Sequence, residues 1–315
     1  MSLTIGVDIG GTKVGGGLVD EDGRILATAL RPTPADDTSG VIQAVAEVVD
    51  ELRVDRDIEA VGIGAAGWIS SDRSTVMLAP NVSWKNEPLR DKVADAIGLP
   101  VVVENDANVA IWGEHRFGVA KDHRSSVLYT VGTGIGGGIV VKDNLLRGTH
   151  GVAAEIGHMR SVPDGRECGC GRSGCLEQYA SGGALSRAAR EGAKADPGKA
   201  RILLELAGGD PEAVSGREIT EAARQGDEVA LAAFDFIGYY LGNSAADLVQ
   251  LIDPGVVIIA GGVVDAGDVL LDPIREHFTE ALAKRATVPV AEIRAATLGS
   301  KAGVIGAADL ARHLT

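Results

Sequence analysis

The sequence lacks an excess of positive charge. Its 315 residues include 30 lysines and arginines against 44 aspartates and glutamates, which gives a formal net charge of −14. Nucleic acids and anionic membrane surfaces are bound by basic patches, so this balance disfavours both as partners. A polyanionic substrate would need local positive charge or a metal ion at its binding site.

Long apolar runs and a recognisable leader are also missing. No apolar run approaches the roughly 20 residues that a membrane-spanning helix needs. The first residues, MSLTIGVDIGG, lack the basic segment and the small-residue cleavage site of a signal peptide. We therefore expect a cytoplasmic protein with no membrane partner.

Two common phosphate-binding motifs are absent or stand in the wrong context. No GxxxxGK followed by Ser or Thr occurs, which excludes the P-loop class. Residues 132–137, GTGIGG, match the G-x-G-x-x-G of dinucleotide-binding folds, but that motif must open a helix. Here residues 139–141, IVV, continue as a strand, so no helix N-terminus can hold the pyrophosphate. The sequence thus disfavours a Rossmann dehydrogenase.

Cysteine is scarce, but all of it lies in one place. Cys168, Cys170 and Cys175 fall within eight residues and follow His158. Three thiols and one imidazole make a complete tetrahedral zinc set, and a site with no open position is structural. An odd number of clustered cysteines fits a reducing compartment better than a disulfide framework. The alternative interpretation is a group of free, buried thiols.

Glycine, by contrast, is abundant, and two glycine-rich segments resemble each other. The 43 glycines include those of GVDIGGTKVGGGLVD and YTVGTGIGGGIVV, each a strand, a glycine turn and a second strand. Successive backbone N–H groups in such a turn form an anion nest, to which Thr12 and Thr133 add hydroxyl donors. Asp8 is an acid beside Gly10 and Gly11, so we expect it to act on Mg²⁺ through water. The alternative is that both segments are simply tight turns.

The remaining pattern is that of an α/β protein. Strands are predicted over 3–31, with an Asp22-Gly23 hairpin turn, and over 60–69 and 100–108. The strand at 100–108 ends on acids and amides, as the carboxyl end of a buried strand does at a ligand cleft. Apolar spacing predicts helices over 41–53, 219–252 and 272–286, and near the C-terminus after a last strand. We expect a domain boundary near Gly113.

Five motifs in order identify the sequence as resembling a known family. They are DIGGT at Asp8–Thr12, END at Glu104–Asp106, GTGIGGG at Gly132–Gly138, EIGH at Glu155–His158, and CGCGRSGCLEQYASG at Cys168–Gly182. Together they resemble the ROK family (repressors, open reading frames, sugar kinases), and within it the bacterial glucokinases of the actinobacterial type. The resemblance covers essentially the whole chain. One departure is Ala154, where the family commonly has glycine.

The resemblance implies a fold and a reaction. The fold is the two-domain actin-like ATPase (ribonuclease H-like) type, with the active site in the interdomain cleft. A small α/β domain would span 1–113 plus 300–315, and a large one, carrying the zinc site, 114–299. The reaction is phosphorylation of the 6-hydroxyl of D-glucose by ATP with Mg²⁺, in a homodimer or homotetramer.

Residue roles also come from the resemblance. Asp106 would be the general base and a sugar contact. Other sugar contacts would be Gly67, Asn81, Asn105, Glu155, His158 and Glu177. Nucleotide and Mg²⁺ contacts would be Asp8, Gly10, Gly11, Thr12, Lys13, Thr133, Gly134, Gly261 and Gly262, the last two on the adenosine side. His158 would bind sugar through one ring nitrogen and zinc through the other, with Cys168, Cys170 and Cys175 completing the zinc site.

Alternatives remain within and outside this reaction. The chain could phosphorylate another hexose or an N-acylhexosamine, or use polyphosphate as donor. It could also be a sugar-sensing regulator without turnover. Retention of Asp106 and Asp8, together with both glycine turns, favours the kinase.

Overall fold

A computed structural model describes residues 2–34, 36–79, 84–283 and 290–313. The chain divides into two compact units. Unit 1 comprises 1–126, 138–154 and 297–315, and unit 2 comprises 127–137 and 155–296. Asn81, a predicted sugar contact, and residues 284–286 of a predicted helix lie outside the described residues. The domain boundary proposed near Gly113 stays a prediction.

Unit 1 is built on a five-stranded sheet. Its strands are β1 (Thr4–Ile9), β2 (Lys13–Val19), β3 (Ile25–Pro32), β4 (Ala60–Ala65) and β8 (Val101–Asn105), in the order β3-β2-β1-β4-β8. The pairs β1–β2 and β2–β3 are antiparallel, whereas β1–β4 and β4–β8 are parallel. The predicted Asp22-Gly23 turn joins β2 to β3, with Gly23 at a φ of 76° that suits glycine. The strands predicted over 3–31 are therefore confirmed. The strand predicted over 60–69 is two separate strands, at 60–65 and 68–69, and the strand predicted over 100–108 ends at Asn105, because residues 106–108 begin a helix.

Smaller elements complete unit 1. They are α1 (Thr38–Leu52), β5 (Trp68–Ile69), β6 (Val76–Leu78), β7 (Lys85–Glu87), α2 (Leu89–Ile97), α3 (Asp106–Phe117), β11 (Asn144–Leu145) and α10 (Ala302–Arg312). Strands β5, β6 and β7 form a separate small sheet. Helices α1 and α2 cover one face of the main sheet, and their valines, leucines and isoleucines share its core. The predicted helix at 41–53 thus corresponds to α1.

Helix α10 lies directly on the other face of this sheet, over bare backbone. A Cβ atom on Gly6 would lie 1.9 Å from the carbonyl oxygen of Val304, and one on Gly62 would lie 1.8 Å from that of Ala307. Such distances leave no room for any side chain. The glycines of β1 and β4 are therefore what lets α10 reach the sheet.

Unit 2 combines a second sheet with a helical layer. Its elements are β9 (Ser126–Val131), the start of β10 (Ile135–Val141), α4 (Glu177–Ala180), α5 (Gly182–Ala195), α6 (Arg201–Leu206), α7 (Gly216–Arg224), α8 (Glu228–Ile252), β12 (Val256–Ala260), α9 (Asp268–Leu282) and β13 (Glu292–Ala295). The second sheet has the order β11-β10-β9-β12-β13. None of the helices in the described part of the chain is long and apolar enough to cross a membrane.

One predicted helix is wrong as a continuous element. The pattern over 219–252 corresponds to two helices, α7 and α8, separated by Gln225, Gly226 and Asp227. Gly226 has a φ of 85°, outside the helical region, and ends α7. Asp227 then begins α8, because its carboxylate accepts hydrogen bonds from the backbone N–H groups of Val229 and Ala230.

Candidate functional site

The corner between β8 and α3 carries the first group of candidate residues. The Asn105 side chain caps α3 by accepting hydrogen bonds from the backbone N–H groups of Ala107 (2.9 Å) and Asn108 (3.1 Å). Its amide nitrogen donates to the carbonyl oxygen of Gly67 at 3.0 Å. Asp106, the first residue of α3, therefore stands at a fixed strand-to-helix corner. The structure thus joins Gly67 to Asn105 and Asp106 within unit 1.

Glu104 is a residue of this corner to which the sequence analysis gave no role. Its side chain is 1% exposed, and its carboxylate pairs with the guanidinium groups of Arg73 (3.0 Å) and Arg147 (2.6 Å). The other carboxylate oxygen accepts from the backbone N–H of Asn105 and the side-chain amide of Asn108. Buried charge is tolerated only when it is paired and hydrogen-bonded in this way. The ion pairs and hydrogen bonds of Glu104 therefore fix the conformation of this strand-to-helix corner.

The first glycine turn lies beside this corner. The backbone N–H of Gly10 donates to the carbonyl oxygen of Lys13 at 3.0 Å, and the Thr33 hydroxyl donates to the carbonyl oxygen of Gly10 at 2.8 Å. Gly11, Thr12 and Lys13 are exposed. The turn is thus held at its base while its tip is open to a ligand.

Two carboxylates near this turn have raised pKa values. The pKa of Asp8 is raised to about 6, mainly by burial and also by the charge of Asp106, against the opposing effect of the Lys13 charge. Loss of solvation by surrounding protein raises the pKa of Asp106, against hydrogen bonds from backbone N–H groups that favour its ionised form. Acids with perturbed pKa values that interact with one another mark a candidate catalytic site.

The second glycine turn, Gly132–Gly134, lies in unit 2 between β9 and β10. The backbone N–H of Gly182, at the start of α5, donates to the carbonyl oxygen of Gly132 at 2.8 Å. A Cβ atom on Gly132 or Gly262 would meet no described atom within 4 Å, so packing does not explain these glycines. Gly261 differs, because its Cβ would lie 2.4 Å from the carbonyl oxygen of Val131. Bare backbone at Gly132 and Gly262 faces open space.

That space is a cavity of about 960 Å³ within unit 2. Its walls come from the second glycine turn, from the N-terminal part of α5, from the whole length of α7, and from the segment after β12. The lining residues are Gly132, Thr133, Gly182, Gly183, Leu185, Ser186, Gly216, Arg217, Thr220, Glu221, Arg224, Gly262, Val263, Asp265 and Ala266. Helix N-termini and exposed backbone N–H groups attract phosphate. Sequence reasoning predicted Thr133 and Gly262 here, but gave no role to the α5 and α7 residues, which follow the turn by 48 residues or more.

The predicted metal ligands converge in the structure. The ligand atoms of His158, Cys168, Cys170 and Cys175 all lie within 4.8 Å of one another. The Cys170 and Cys175 sulfurs are 3.7 Å apart, and the Cys168 sulfur is 3.6 Å from Nδ1 of His158. Tetrahedral zinc with bonds of about 2.3 Å to sulfur and about 2.0 Å to nitrogen requires separations of about 3.8 and 3.5 Å. The residues therefore fit a zinc ion.

The two predicted acidic sugar contacts of unit 2 lie beside this cluster. The Glu155 carboxylate is 3.9 Å from Nε2 of His158, on the ring edge opposite the one that faces Cys168. The Glu177 carboxylate is 2.9 Å from the Cys168 sulfur and 3.8 Å from Nδ1 of His158. His158 therefore presents one nitrogen to the cluster and the other towards Glu155, as its predicted double role requires.

Comparison with known proteins identifies the family. The family model described as "ROK family" matches residues 4–314. The chain belongs to the ROK family. This ROK protein is 52% identical to a glucokinase of Streptomyces coelicolor over 313 residues, which cover 99% of the chain and 98% of the relative. An N-acetylmannosamine kinase of Citrobacter koseri is 34% identical, with 98% of both chains covered.

A solved structure gives the fold of this ROK protein. The crystal structure of a ROK family glucokinase from Streptomyces griseus, in complex with glucose and AMPPNP, matches with a TM-score of 0.88. The two chains are 52% identical, and the match covers 99% of this chain and 100% of that one. The predicted actin-like ATPase fold is therefore confirmed, whereas the placing of an active site between two domains stays a prediction.

Proposed function

We propose that the protein is a glucokinase that transfers the γ-phosphoryl group of ATP to the 6-hydroxyl of D-glucose. The observation that carries this proposal is the full-length match, at 52% identity, to a ROK family glucokinase in complex with glucose and AMPPNP. The curated glucokinases of Streptomyces share the same identity over nearly the whole chain. The alternative sugar among the relatives, N-acetylmannosamine, belongs to a kinase that is only 34% identical.

In the proposed reaction Asp106 is the general base. Phosphoryl transfer passes through a loose transition state, so the base mainly aims the hydroxyl and accepts its proton late. The raised pKa of Asp106 brings this carboxylate closer to the proton affinity that a base needs near neutral pH. Asn105 and Glu104 fix the corner from which Asp106 acts.

The other proposed contacts divide between sugar and nucleotide. Asn105, Glu155, His158 and Glu177 would hydrogen-bond the sugar hydroxyls, with Asn81 and the Gly67 loop lining the site. A site built to pair with each hydroxyl rejects sugars that lack one, because its own polar groups are then left unpaired. Both glycine turns, with Thr12, Lys13, Thr133 and Gly134, would hold the ATP phosphates, and Gly261 and Gly262 would adjoin the adenosine.

Magnesium fits the acids of unit 1. Asp8 stands beside the first glycine turn, where an acid next to phosphate would be repulsive without an intervening cation. Mg²⁺ supplied with ATP neutralises phosphate charge, and we propose that Asp8 orients its water ligands. The charge of Lys13 acts on the same carboxylate.

Replacement of Asp106 tests the base. Asp106→Asn should lower kcat by about 10²–10⁴-fold, the usual contribution of a general base, while glucose affinity stays within about tenfold. The measurement is a coupled assay of ADP release, with glucose binding followed by calorimetry. Turnover near the wild-type value would remove Asp106 from this role.

A sugar panel tests the substrate. The same assay with glucose, mannose, fructose, N-acetylglucosamine and N-acetylmannosamine should show a strong preference for glucose. Preference for an N-acetyl sugar would keep the reaction and change the substrate. Glucose binding without turnover of any sugar would favour the regulator.

We also propose that the Cys₃His cluster holds a structural zinc ion. Burial raises the pKa values of the Cys168 and Cys175 thiols, so a bound cation is what would keep both as thiolates. By holding Nδ1 of His158, the ion would orient Nε2 towards a sugar hydroxyl. Cys168→Ser should therefore lower zinc content, thermal stability and glucose affinity together. Normal zinc content with normal glucose affinity would contradict this assignment.

Oligomeric state and location complete the proposal. We propose a homodimer or homotetramer that acts in the cytoplasm, where ATP is available and thiols stay reduced. Exposed apolar side chains on α8, including Phe236 and Tyr239, are suited to a subunit interface. Light scattering coupled to size-exclusion chromatography would distinguish these states from a monomer.

A further inference from the structure

Glu177 lies between the metal cluster and the second glycine turn, and touches both. We propose that Glu177 is a positioning residue that couples the two sites, so that zinc binding strengthens nucleotide binding and nucleotide binding strengthens zinc binding. This inference rests on the proposed function only in assigning zinc to the cluster and nucleotide phosphates to the turn.

The contact with the cluster is made by one carboxylate oxygen. Oε1 of Glu177 lies 2.9 Å from the sulfur of Cys168 and 3.8 Å from Nδ1 of His158. Both are predicted metal ligands, and Glu177 itself follows the ligand Cys175 by two residues. Any change in how Cys168 and His158 are held therefore acts directly on the position of this carboxylate.

The contact with the turn is made by the other oxygen. A Cβ atom on Gly134 would lie 2.7 Å from Oε2 of Glu177, closer than real Cβ atoms come to other atoms. Within the described part of the chain, and apart from Gly134 itself and the two residues next to it, only Glu177 comes within 4 Å of that position. An added methyl group at Gly134 would therefore have to displace the Glu177 carboxylate.

The backbone that follows Glu177 holds the same turn from its other end. Gly182 donates its backbone N–H to the carbonyl oxygen of Gly132 at 2.8 Å, and Gly132 donates to the carbonyl oxygen of Gly134 at 3.0 Å. Residues 175–182 therefore carry a metal ligand, the Glu177 carboxylate and the hydrogen bond to the turn within eight residues. A movement of this segment would therefore displace groups at both the metal cluster and the glycine turn.

The coupling is expected to be positive, because binding at either site orders the same segments of the chain. A bound metal fixes the loops that carry Cys168 and Cys175, which limits the positions open to Glu177 and to the turn. A nucleotide that binds an already ordered turn loses less conformational entropy on binding. Coupling between sites is reciprocal, and typical values change affinity by about 5–150-fold. We expect a change of at least about fivefold in each direction.

The first experiment measures nucleotide affinity without sugar. Calorimetry with Mg²⁺ and ADP compares zinc-loaded and zinc-free protein, and circular dichroism verifies that both are folded. Zinc should raise ADP affinity at least about fivefold in the wild type, and by less than about twofold in Glu177→Ala. An ADP affinity that is unchanged or lowered by zinc would overturn the coupling.

The second experiment alters the glycine turn that is proposed to bind the nucleotide, and it measures the effect on zinc affinity. It needs only zinc-loaded protein. Competition with a chromophoric chelator compares Gly134→Ala with its matched control Gly132→Ala. The control changes the same turn, but its new Cβ meets no described atom within 4 Å. Gly134→Ala should lower zinc affinity at least about fivefold, and Gly132→Ala should leave it unchanged.

A double variant identifies Glu177 as the link. In Glu177→Ala/Gly134→Ala the added methyl group has no carboxylate to displace, so zinc affinity should equal that of Glu177→Ala alone. Equal effects of Gly134→Ala and Gly132→Ala, or additive effects in the double variant, would overturn the proposal. Failure to bind ADP or zinc at all would instead contradict the proposed function, so the two failures are distinguishable.

Discussion

Asp8, the carboxylate proposed to act on Mg²⁺, reduces the stability of the fold that carries it. Its pKa of about 6 lies above the ordinary 3.8, mainly because of burial and also because of the charge of Asp106. A raised pKa means that the folded protein prefers the protonated acid. The ionised form that Mg²⁺ requires is therefore the form that costs folding free energy.

Replacement of Asp8 should consequently stabilise the protein at neutral pH. The cost of ionised Asp8 is absent below about pH 4, grows through pH 6 and is complete above it. Asp8→Asn should raise the free energy of unfolding by on the order of 2 kcal/mol at pH 7.5 and by almost nothing at pH 4, while abolishing most turnover. Urea denaturation at the two pH values measures this. Equal destabilisation at both would mean that the carboxylate has a structural role.

At the level of single residues, the sequence indicated the candidate site residues better than the residues that hold them in place. Asp106 and Asn105 were predicted because both lie in the local END motif, whereas Gly67 was predicted only from the family resemblance. The partners of Glu104 were not, since Arg73 and Arg147 lie 31 and 43 residues away along the chain and neither belongs to a motif. An acid at the end of a valine run was the available signal, because a buried carboxylate must find cations somewhere.

At the level of elements, α10 owes its position to residues without side chains. Gly306 of α10 approaches α3 so closely that its Cβ would lie 1.8 Å from the carbonyl oxygen of Val109. Gly303, three residues earlier in the same helix, has room, since its Cβ would lie 3.6 Å or more from Asp8. The two positions therefore offer the same substitution in two different environments.

Alanine at these positions should have opposite effects. Gly306→Ala should destabilise the protein by about 3 kcal/mol, the upper range for overpacking, because backbone must move. Gly303→Ala should not destabilise it, since alanine is favoured over glycine in helices by about 1 kcal/mol. Thermal and urea unfolding of both variants provides the comparison. Equal stabilities would show that α3 and α10 separate at little cost.

The break between α7 and α8 could have been predicted from sequence. A glycine followed by an aspartate is a helix end followed by a helix start. The apolar period continues across Gln225, Gly226 and Asp227, and it concealed this signal. Asp227 also accepts backbone hydrogen bonds from Ile202 and Leu203 in α6, which no local pattern could indicate. The Asp227 carboxylate thus accepts hydrogen bonds from the first turns of two helices, α6 and α8, which are separated in the sequence.

For the whole molecule, the fold class was predicted from the family resemblance. The charge balance has a separate consequence for stability. The charges that make up a net charge of −14 repel one another, and dissolved salt screens that repulsion. The midpoint of thermal unfolding at pH 7.5 should therefore rise as NaCl increases from 10 to 300 mM, within the range of about 30 to 6 Å in screening length.

The control for this prediction is pH. Near the isoelectric point of about 4.9 the net charge vanishes, so the same salt series should have a much smaller effect. A midpoint that does not respond to salt at pH 7.5 would mean that paired charges, such as Arg31 with Glu47 and Glu51, already cancel the repulsion locally.

The place of α10 in the chain also matters while the protein is being made. The face of the first sheet that α10 covers is formed by strands within the first 105 residues, but α10 itself begins at residue 302. During synthesis on the ribosome, that face therefore stays without α10 until almost the whole chain has been translated. Nascent chains interrupted before residue 302 would expose it, and should be preferred clients of chaperones and of proteases.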